Sequence, residues 1–233
     1  DEITRLYRRN VVAGNTDAKI TLMEGLDFTS TIGVNLKDEN QPYFVSTLSN
    51  FDGGLGRAFA RIDAMSSFFW QWSNHINYNK TFGDHSINAT LGTEAQKYEI
   101  LNWQASANDI SDDYYQWNNL ETGSTPMPPT SSVVNYQMAS YFARANYGYK
   151  DRYLLTVTGR FDGSSRFGEN NKFAFFPSIA GAWRLSEEDF LKENNTISNL
   201  KLRLSYGQTG NSEIDSYLSN ANLQVGNYAF GGR

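Results

Sequence analysis

The stretch SYFARANYGYKDRYLLTVTGRFDGSSRFG, residues 140–168, indicates the fold more clearly than any other part of the sequence. On both sides of the tripeptide KDR, apolar or aromatic residues alternate with polar ones. The apolar series comprises Tyr141, Ala143, Ala145, Tyr147 and Tyr149, and then Tyr153, Leu155, Val157 and Phe161. A period of two residues predicts two consecutive antiparallel strands, each about ten residues long, with one apolar and one polar face.

The composition limits the class of protein. The chain has 233 residues, of which 39% are hydrophobic, and no apolar run approaches the ~18 residues of a membrane-spanning helix. This excludes an α-helical membrane protein but not a transmembrane β-barrel, in which polar residues alternate with lipid-facing ones. A net charge of −5 argues against nucleic-acid binding. The absence of cysteine excludes disulfides and thiolate chemistry.

The same alternation predicts strands along most of the chain. Eight clear strands are predicted, at residues 10–22, 26–37, 68–79, 87–96, 140–150, 153–162, 173–185 and 200–207. A ninth is expected to start near Leu223. The segment SEEDFLKEN, residues 186–194, predicts a short helical turn that Ser186 caps and whose first carboxylates suit a helix N-terminus.

Short and long connections alternate between these strands. The short ones are Glu24-Gly25, 80–85 and 150–152, and the long ones are 38–65, 99–136 and 162–172. Transmembrane barrels show this alternation because their periplasmic turns are short and their extracellular loops are long. Aromatic residues are expected in two belts, with Tyr78, Phe82, Tyr147, Tyr149 and Tyr153 beside the short turns and Phe161, Phe167, Phe173 and Phe175 beside a longer loop. One face of each strand is thus predicted to meet lipid near Leu155, and the other a wet lumen.

Three motifs carry a resemblance to a known family. YFARANYGYKDRYLLTVTGRFDGSSRFG, FFPSIAGAWRLSEEDFLK and LKLRLSYGQTGN, in this order between residues 140 and 211, resemble the barrel of SusC/RagA-type TonB-dependent outer-membrane transporters of the Bacteroidetes. Residues 72–96 resemble the hairpin that precedes these motifs in the family. The resemblance implies an all-β fold, an antiparallel transmembrane barrel of roughly 22 strands with a plugged lumen, of which this chain supplies about 8–9.

The resemblance also implies a function without covalent chemistry. Residues 1–233 are expected to be part of the barrel, with the plug domain and the TonB-contact segment outside this sequence. The implied activity is active import of an oligomeric nutrient, a glycan or a peptide, through the outer membrane of a Gram-negative, Bacteroidetes-like cell. The implied partners are a SusD-like surface lipoprotein, TonB–ExbB–ExbD and the lipid bilayer, and no enzyme activity is expected.

Four aromatic residues in the longest predicted loop are candidate contacts for cargo or for the lipoprotein lid, namely Trp103, Tyr114, Tyr115 and Trp117. Exposed aromatic rings stack on sugar rings and on peptide side chains. The alternative is that these rings fold the loop onto itself. Functional groups concentrate in loops that a rigid scaffold holds, which favours this segment.

The other candidate sites are weaker. The two histidines, His75 and His85, flank a hairpin turn, but no third ligand is indicated and no metal site is predicted. NDISDD, residues 108–113, offers oxygens to Ca²⁺ but lacks the glycine and terminal glutamate of an EF-hand loop. DGSSRFG, residues 162–168, has no following lysine or helix for a phosphate cradle, and a structured turn that packs Arg166 and Phe167 is expected instead.

Two other function classes fit the composition less well. A soluble β-sandwich that binds carbohydrate would use the aromatic residues as platforms, but its loops would not alternate in length and its strands would be shorter. A β-rich hydrolase needs a nucleophile or a pair of separated acids, and the adjacent carboxylates at 112–113 and 187–188 do not supply one.

Overall fold

The computed structural model describes residues 2–49, 57–168, 171–192, 196–212 and 214, and they form one ten-stranded antiparallel sheet. Its strands are β1 (Ile3–Arg5), β2 (Arg8–Met23), β3 (Leu26–Val45), β4 (Ala58–Phe82), β5 (His85–Ile110), β6 (Gly123–Pro126), β7 (Thr130–Tyr149), β8 (Tyr153–Ser164), β9 (Phe173–Arg184) and β10 (Lys201–Gly207). Three 3₁₀ turns lie at Gln116–Asn118, Leu120–Thr122 and Leu185–Glu187. Within the described residues, no helix is long and apolar enough to cross a membrane.

The strands pair in chain order. β1 and β2 pair with successive parts of β3 along the same edge, and β6 and β7 do the same along β5. Because each of these two pairs shares one position in the sheet, the ten strands fill the eight positions that the alternation predicted. The all-β antiparallel fold is confirmed. The ninth strand, expected near Leu223, lies outside the described residues.

The register of β4 separates its two faces as predicted. Its ladder with β5 is continuous from Phe59 to Phe82, with one irregularity at Ala58. One face carries the apolar residues Phe68, Trp70, Trp72, Ile76 and Tyr78, and the other carries Gln71, Ser73, His75 and Asn77. The apolar face continues across the sheet, where Trp72 lies opposite Ile32. We call it the outer face and the opposite one the lumenal face.

The central strands are longer than the sequence predicts. β4 has 25 residues and β5 has 26, although a tilted strand needs only about 9–11 to cross a bilayer. The long connections predicted at 38–65 and 99–136 are therefore wrong in length, because strands occupy both ends of each. Their alternation is weak because polar residues also lie on the outer face there: Lys97 and Glu99 form an ion pair of 3.0 Å on the outer face of β5. β8 and β9, by contrast, have 12 residues each.

Two rows of aromatic rings border the outer face. At the short-turn end, directly paired rings run from Phe82 through His85, Tyr149 and Tyr153 to Trp183. At the other end, Phe161 stacks on Phe173 with ring centroids 5.0 Å apart. The two predicted aromatic belts are confirmed except at Phe167, which lies past the end of β8 beside the lumenal side chains of Asp162 and Phe176. Because Val157 lies midway between Tyr153 and Phe161 on β8, it replaces Leu155 as the residue at the middle of the apolar band.

The predicted cap of the SEEDFLKEN segment is wrong. Leu185–Glu187 is a single 3₁₀ turn whose N-cap residue is Arg184, and no side chain caps it. Ser186 lies inside the turn, and its backbone N–H donates to the Leu200 carbonyl at 3.2 Å. The following carboxylate, Glu188, binds side chains of the neighbouring turn instead of capping a helix, which accounts for the short helical element.

Residues 1–233 expressed alone are expected to aggregate in water. In the part of the chain that the structure describes, β2 pairs only with β3 and β10 only with β9, so two rows of backbone groups lack a strand partner. All 16 residues of β2 are exposed. Unpaired edges of this length pair with other chains. Size-exclusion chromatography with and without detergent measures this, and a monodisperse water-soluble monomer would contradict it.

Candidate functional site

The loop between β5 and β7 packs against the extended part of the sheet. A cluster of buried residues lies there, formed by Phe44, Ala58, Ala60, Ala107 and Ile110, and Trp117 and Leu120 pack against it. Phe44 is only 1% exposed. The 3₁₀ turn of Trp117 lies against β3 and β4, where the small side chains of Ala58 and Ala60 leave room for a ring. The loop is therefore held by a hydrophobic contact with the wall.

The four predicted contact residues do not form one site. Tyr114 and Tyr115 lie together at the loop surface, 83% and 47% exposed, with ring centroids 5.2 Å apart. Trp117 lies below them against the buried cluster. Trp103 belongs to β5 rather than to the loop, and its register opposite Ala64 places it on the outer face. Grouping Trp103 with the loop residues is thus wrong, because β5 continues past it.

Asp113 ties the loop to the end of β3. Its carboxylate accepts hydrogen bonds from Ser46 Oγ at 2.5 Å, from Thr47 Oγ1 at 3.1 Å and from the Thr47 backbone N–H at 3.2 Å. Asp112 accepts from the Tyr114 backbone N–H at 2.8 Å, and Asp109 from Thr125 Oγ1 at 3.0 Å. The acids of the NDISDD segment thus contact separate donors. The structure brings no group of three or more His, Asp or Glu together within its described ranges.

The two histidines lie on opposite faces of the sheet. His75 is on the lumenal face of β4, where it pairs with Gly92 of β5. His85 is on the outer face, stacked on Phe82 with ring centroids 5.4 Å apart, and its Nδ1 lies 2.7 Å from the Tyr147 hydroxyl. The two side chains therefore do not approach one another around the hairpin, and His85 is part of the aromatic row.

A hydrogen-bonded network lies on the lumenal face of the middle strands. Gln71 Nε2 donates to Glu94 at 2.9 Å, and Arg160 lies 3.5 Å from the same carboxylate. Arg160 Nε also donates to Asp162 at 2.6 Å, and its guanidinium lies 5.6 Å from the Phe142 ring centroid. Charges of both signs are thus paired across three strands, as the polar lumen of a barrel requires.

A second network lies closer to the short turns. Asn79, Asn88, Asn146 and Thr156 form a ladder across four strands. Asn88 donates to Asn79, Asn146 Nδ2 donates to Asn88 at 2.9 Å, and Thr156 Oγ1 donates to Asn146 at 2.9 Å. We call this set the amide ladder. Its members satisfy one another, so it stabilises the wall.

An aromatic row on the lumenal face was missed by the sequence analysis. Phe69, Tyr98 and Tyr136 are directly paired, with ring centroids 6.2 Å and 5.5 Å apart. The Arg166 guanidinium lies 3.8 Å from the Tyr136 ring centroid and donates to the Ser212 carbonyl at 3.2 Å. The predicted packing of the DGSSRFG turn is thereby confirmed. Extending the alternation of β5 past residue 96 would have placed Tyr98 in this row.

At the opposite end of the sheet, Glu188 links the two short-turn segments near β8 and β9. Its carboxylate accepts hydrogen bonds from Trp183 Nε1 at 2.8 Å, from the Tyr153 hydroxyl at 2.7 Å and from Arg152 at 3.1 Å. The hydrogen bonds from Trp183 and Tyr153, with the positive charge of Arg152, hold the pKa of the Glu188 carboxyl below its ordinary value. Glu188 thus stabilises the end of the aromatic row in its ionised form.

Acidification is expected to weaken the wall through Glu188. The pKa of Glu188 is lower in the folded state, so the ionised carboxylate stabilises the fold. This contribution to the free energy of unfolding is present above the ordinary carboxyl pKa and is lost as the pH falls through the lowered value. The measurement is the temperature at which the folded band disappears from gels, at about pH 7 and at about pH 3. Glu188→Gln should reduce the difference between these two temperatures. Asp189→Asn is the control: its carboxylate also pairs with Arg152, at 3.1 Å, but it is 89% exposed, so this change should reduce the pH-dependent difference much less.

These features define the class of protein. A sheet with an apolar face between two aromatic rows and a hydrogen-bonded polar face is a section of the wall of a transmembrane β-barrel. The chain belongs to the family described as "TonB dependent receptor-like, beta-barrel", which matches residues 4–231. The resemblance carried by residues 140–211 is confirmed.

Several relatives and solved structures support this assignment. The chain is 36% identical over 211 residues to a TonB-dependent receptor of Formosa agariphila, covering 91% of this chain and 20% of the relative. It is 31% identical over 238 residues to the TonB-dependent receptor SusC of Bacteroides thetaiotaomicron, covering 95% and 22%. The RagAB peptide transporter superposes with a TM-score of 0.90 at 28% identity, covering 99% of this chain and 26% of that chain.

The chain spans about a fifth of the length of the curated relatives that it matches. These relatives are receptors and transporters rather than enzymes. The described wall contributes a lipid-type face, a polar lumenal face and one structured loop to such a protein.

Proposed function

We propose that the full-length protein imports an oligomeric nutrient, a glycan or a peptide, through the outer membrane of a Gram-negative, Bacteroidetes-like cell, with energy supplied through TonB–ExbB–ExbD. The observation that carries this proposal is the two-faced wall: an apolar outer face such as lipid covers, and a lumenal face of paired charges and amides. A wet interior of this kind suits the passage of polar oligomers. The family supports the same activity.

A SusD-like surface lipoprotein is the proposed partner. SusC and the RagAB peptide transporter are among the matched proteins, which supports a shared architecture. The Tyr114–Tyr115 pair is the proposed contact for this lid or for cargo, because its rings are exposed while Trp117 and Asp113 hold the loop in place. Rigid support beneath exposed aromatic rings lowers the entropic cost of binding.

The double substitution Tyr114→Ser and Tyr115→Ser is expected to lower uptake or lid association several-fold at normal surface abundance. The two rings supply contact area, whereas the loop remains anchored by Trp117 and Asp113. The measurement is uptake of labelled oligomers by cells that express the full-length protein, with co-purification of the lipoprotein. Phe190→Ser, at an aromatic residue 71% exposed beside the opposite end of the sheet, is the matched control.

Two outcomes would contradict these proposals separately. Full uptake and normal lid association by the double variant would show that the Tyr114–Tyr115 pair is dispensable. Uptake that persists unchanged in cells lacking TonB would contradict TonB-dependent import itself. A soluble carbohydrate-binding module, the other function considered, would be extracted from cells without detergent.

A further inference from the structure

A hollow lies on the outer face of β8, β9 and β10, in the half of the apolar band nearer to the short turns. Its floor is Gly181 of β9, which pairs directly with Leu155 of β8 and with Leu204 of β10. Both leucine side chains are exposed on the outer face and form walls on the two sides of the glycine. We call this feature the outer hollow. Its volume of about 440 Å³ lies in the range of ligand sites, about 300–1,000 Å³.

Gly181 keeps the floor of the outer hollow empty. A Cβ atom placed on it would meet nothing within 4 Å, and the residue lies in a regular part of the β9 ladder. Neither backbone conformation nor crowding therefore requires glycine here. The nearest outward positions on the same strand carry the large side chains of Ile179 and Trp183. Glycine inside a strand weakens the strand and often marks a place where a ligand approaches closely.

Aromatic rings close the outer hollow at its short-turn end. The rings of Tyr153 and Trp183 are stacked with centroids 6.3 Å apart, and Tyr149 stacks on Tyr153 at 6.4 Å. Glu188 holds the first two rings, because it accepts hydrogen bonds from the Tyr153 hydroxyl and from Trp183 Nε1. Rings of this type lie at the level of the lipid headgroups. The short turns of a barrel are periplasmic, so the outer hollow begins just inside the periplasmic headgroup layer.

A weakly paired cation lies beyond these rings. Lys150 Nζ is 5.5 Å from the Tyr149 ring centroid and 3.7 Å from an Asp84 carboxylate oxygen, and both charged side chains are exposed. An exposed ion pair of this kind contributes little energy, so Lys150 can exchange its partner. Arg152, in the same turn, is held by two carboxylates at 3.1 Å each, those of Glu188 and Asp189. Lys150 is therefore the better placed of these two cations to bind a phosphate.

We infer that the outer hollow binds one phospholipid of the periplasmic leaflet, with an acyl chain over Gly181 and the phosphate at Lys150. The apolar hollow, the aromatic rings and the cation follow one another along the wall in the same order as the acyl chain, the ester region and the phosphate of a phospholipid. The hollow is also continuous with the outer face that lipid covers, and its cation complements the negative charge of the phosphate.

The width of the outer hollow favours a lipid chain over a protein partner. β8 and β10 are two strand spacings apart, about 9.5 Å between backbones, and the side chains of Leu155 and Leu204 narrow this gap further. An α-helix with its side chains is about 10–12 Å across and cannot enter. A single hydrocarbon chain can.

The test is a lipid titration of the full-length protein in detergent, followed by native mass spectrometry. The probes are dioleoylphosphatidylglycerol and dioleoylglycerol, which has the same chains without the phosphate. The wild type is expected to bind one phosphatidylglycerol more tightly than any further lipid, and more tightly than dioleoylglycerol. Gly181→Leu fills the hollow and should weaken this first binding roughly tenfold. Lys150→Gln should weaken it several-fold.

Two matched controls separate the site from general effects. Ala143→Leu adds the same apolar bulk to the outer face of β7, away from the outer hollow, and should leave the first binding unchanged. Lys201→Gln removes a cation at the same end of the sheet but on the lumenal face, and should also leave it unchanged.

Several results would overturn the inference. Equal first binding by Gly181→Leu and the wild type would do so, as would dioleoylglycerol that binds as tightly as phosphatidylglycerol, or a lipid that excess inorganic phosphate displaces. Barrel dimers that Gly181→Leu dissociates would assign the outer hollow to a second copy instead. Folding of every variant is checked by the heat-induced band shift on gels, and Lys150→Gln keeps the test valid should Gly181→Leu fail to fold.

Discussion

Val157→Arg is expected to prevent most of the full-length protein from assembling in the membrane. Val157 is exposed on the outer face, midway between Tyr153 and Phe161, and it lies opposite Ala145 and Ile179. A charged side chain at the bilayer midplane on the lipid face of a barrel costs about 2–4 kcal/mol. The measurement is the fraction of protein that shows the heat-induced band shift of a folded barrel, together with its abundance at the cell surface.

Two neighbouring substitutions control for the charge itself. Thr156→Arg places the same side chain on the lumenal face, where it gives up one hydrogen bond to Asn146 and costs about 1 kcal/mol. Leu155→Arg lies only two residues from Tyr153, so its cost is expected to be smaller than that of Val157→Arg. Equal loss of folded protein for Val157→Arg and Thr156→Arg would contradict the assignment of the two faces.

Phe44→Ala is expected to destabilise the extended part of the wall by about 3–5 kcal/mol. The Phe44 side chain is almost fully buried in the cluster that Trp117 covers, and its removal leaves a cavity beneath the loop. The loop should then be cut by added protease much faster on intact cells. In denaturant unfolding, the detergent-solubilised variant should unfold at a lower denaturant concentration than the wild type.

Leu48→Ala is the matched control for Phe44→Ala. Leu48 is a large apolar residue four positions along the chain, but it is 72% exposed, so the change should stay within about 0.5 kcal/mol. A loop that resists protease equally in both variants would show that the buried cluster does not hold it. The band shift of the whole barrel should survive in both, because the cluster lies beyond the part of the wall between the aromatic rows.

The strand positions could be predicted from the sequence because lipid forces a strict alternation. Between Tyr153 and Phe161, apolar side chains must face outward and polar ones inward, and the pattern is legible without the structure. Beyond the row of Phe161 and Phe173, on the side away from the short turns, lipid no longer requires apolar residues to face outward. Lys97 and Glu99 face outward there, so the alternation fades. The sequence therefore predicts that β5 ends at residue 96, whereas the strand continues to Ile110.

The candidate site was less predictable because its contacts join distant parts of the chain. Tyr114 and Tyr115 were found from aromatic content alone, but the Asp113 contact with Ser46 spans 67 residues. A sequence pattern within one strand or loop cannot predict a contact between residues so far apart in the chain. The lumenal row was missed for a different reason: Tyr98 lies just past the predicted end of its strand and Tyr136 in a predicted long connection, although both lie on strands.

The unequal strand lengths give the described wall an uneven rim. β4 and β5 rise well past the outer aromatic row, whereas β8 ends at Ser164, three residues beyond Phe161. On this section of the wall, a bulky molecule that approaches over β4 and β5 meets a taller edge than one that approaches over β8. We expect the approach over β8 to be the less obstructed of the two.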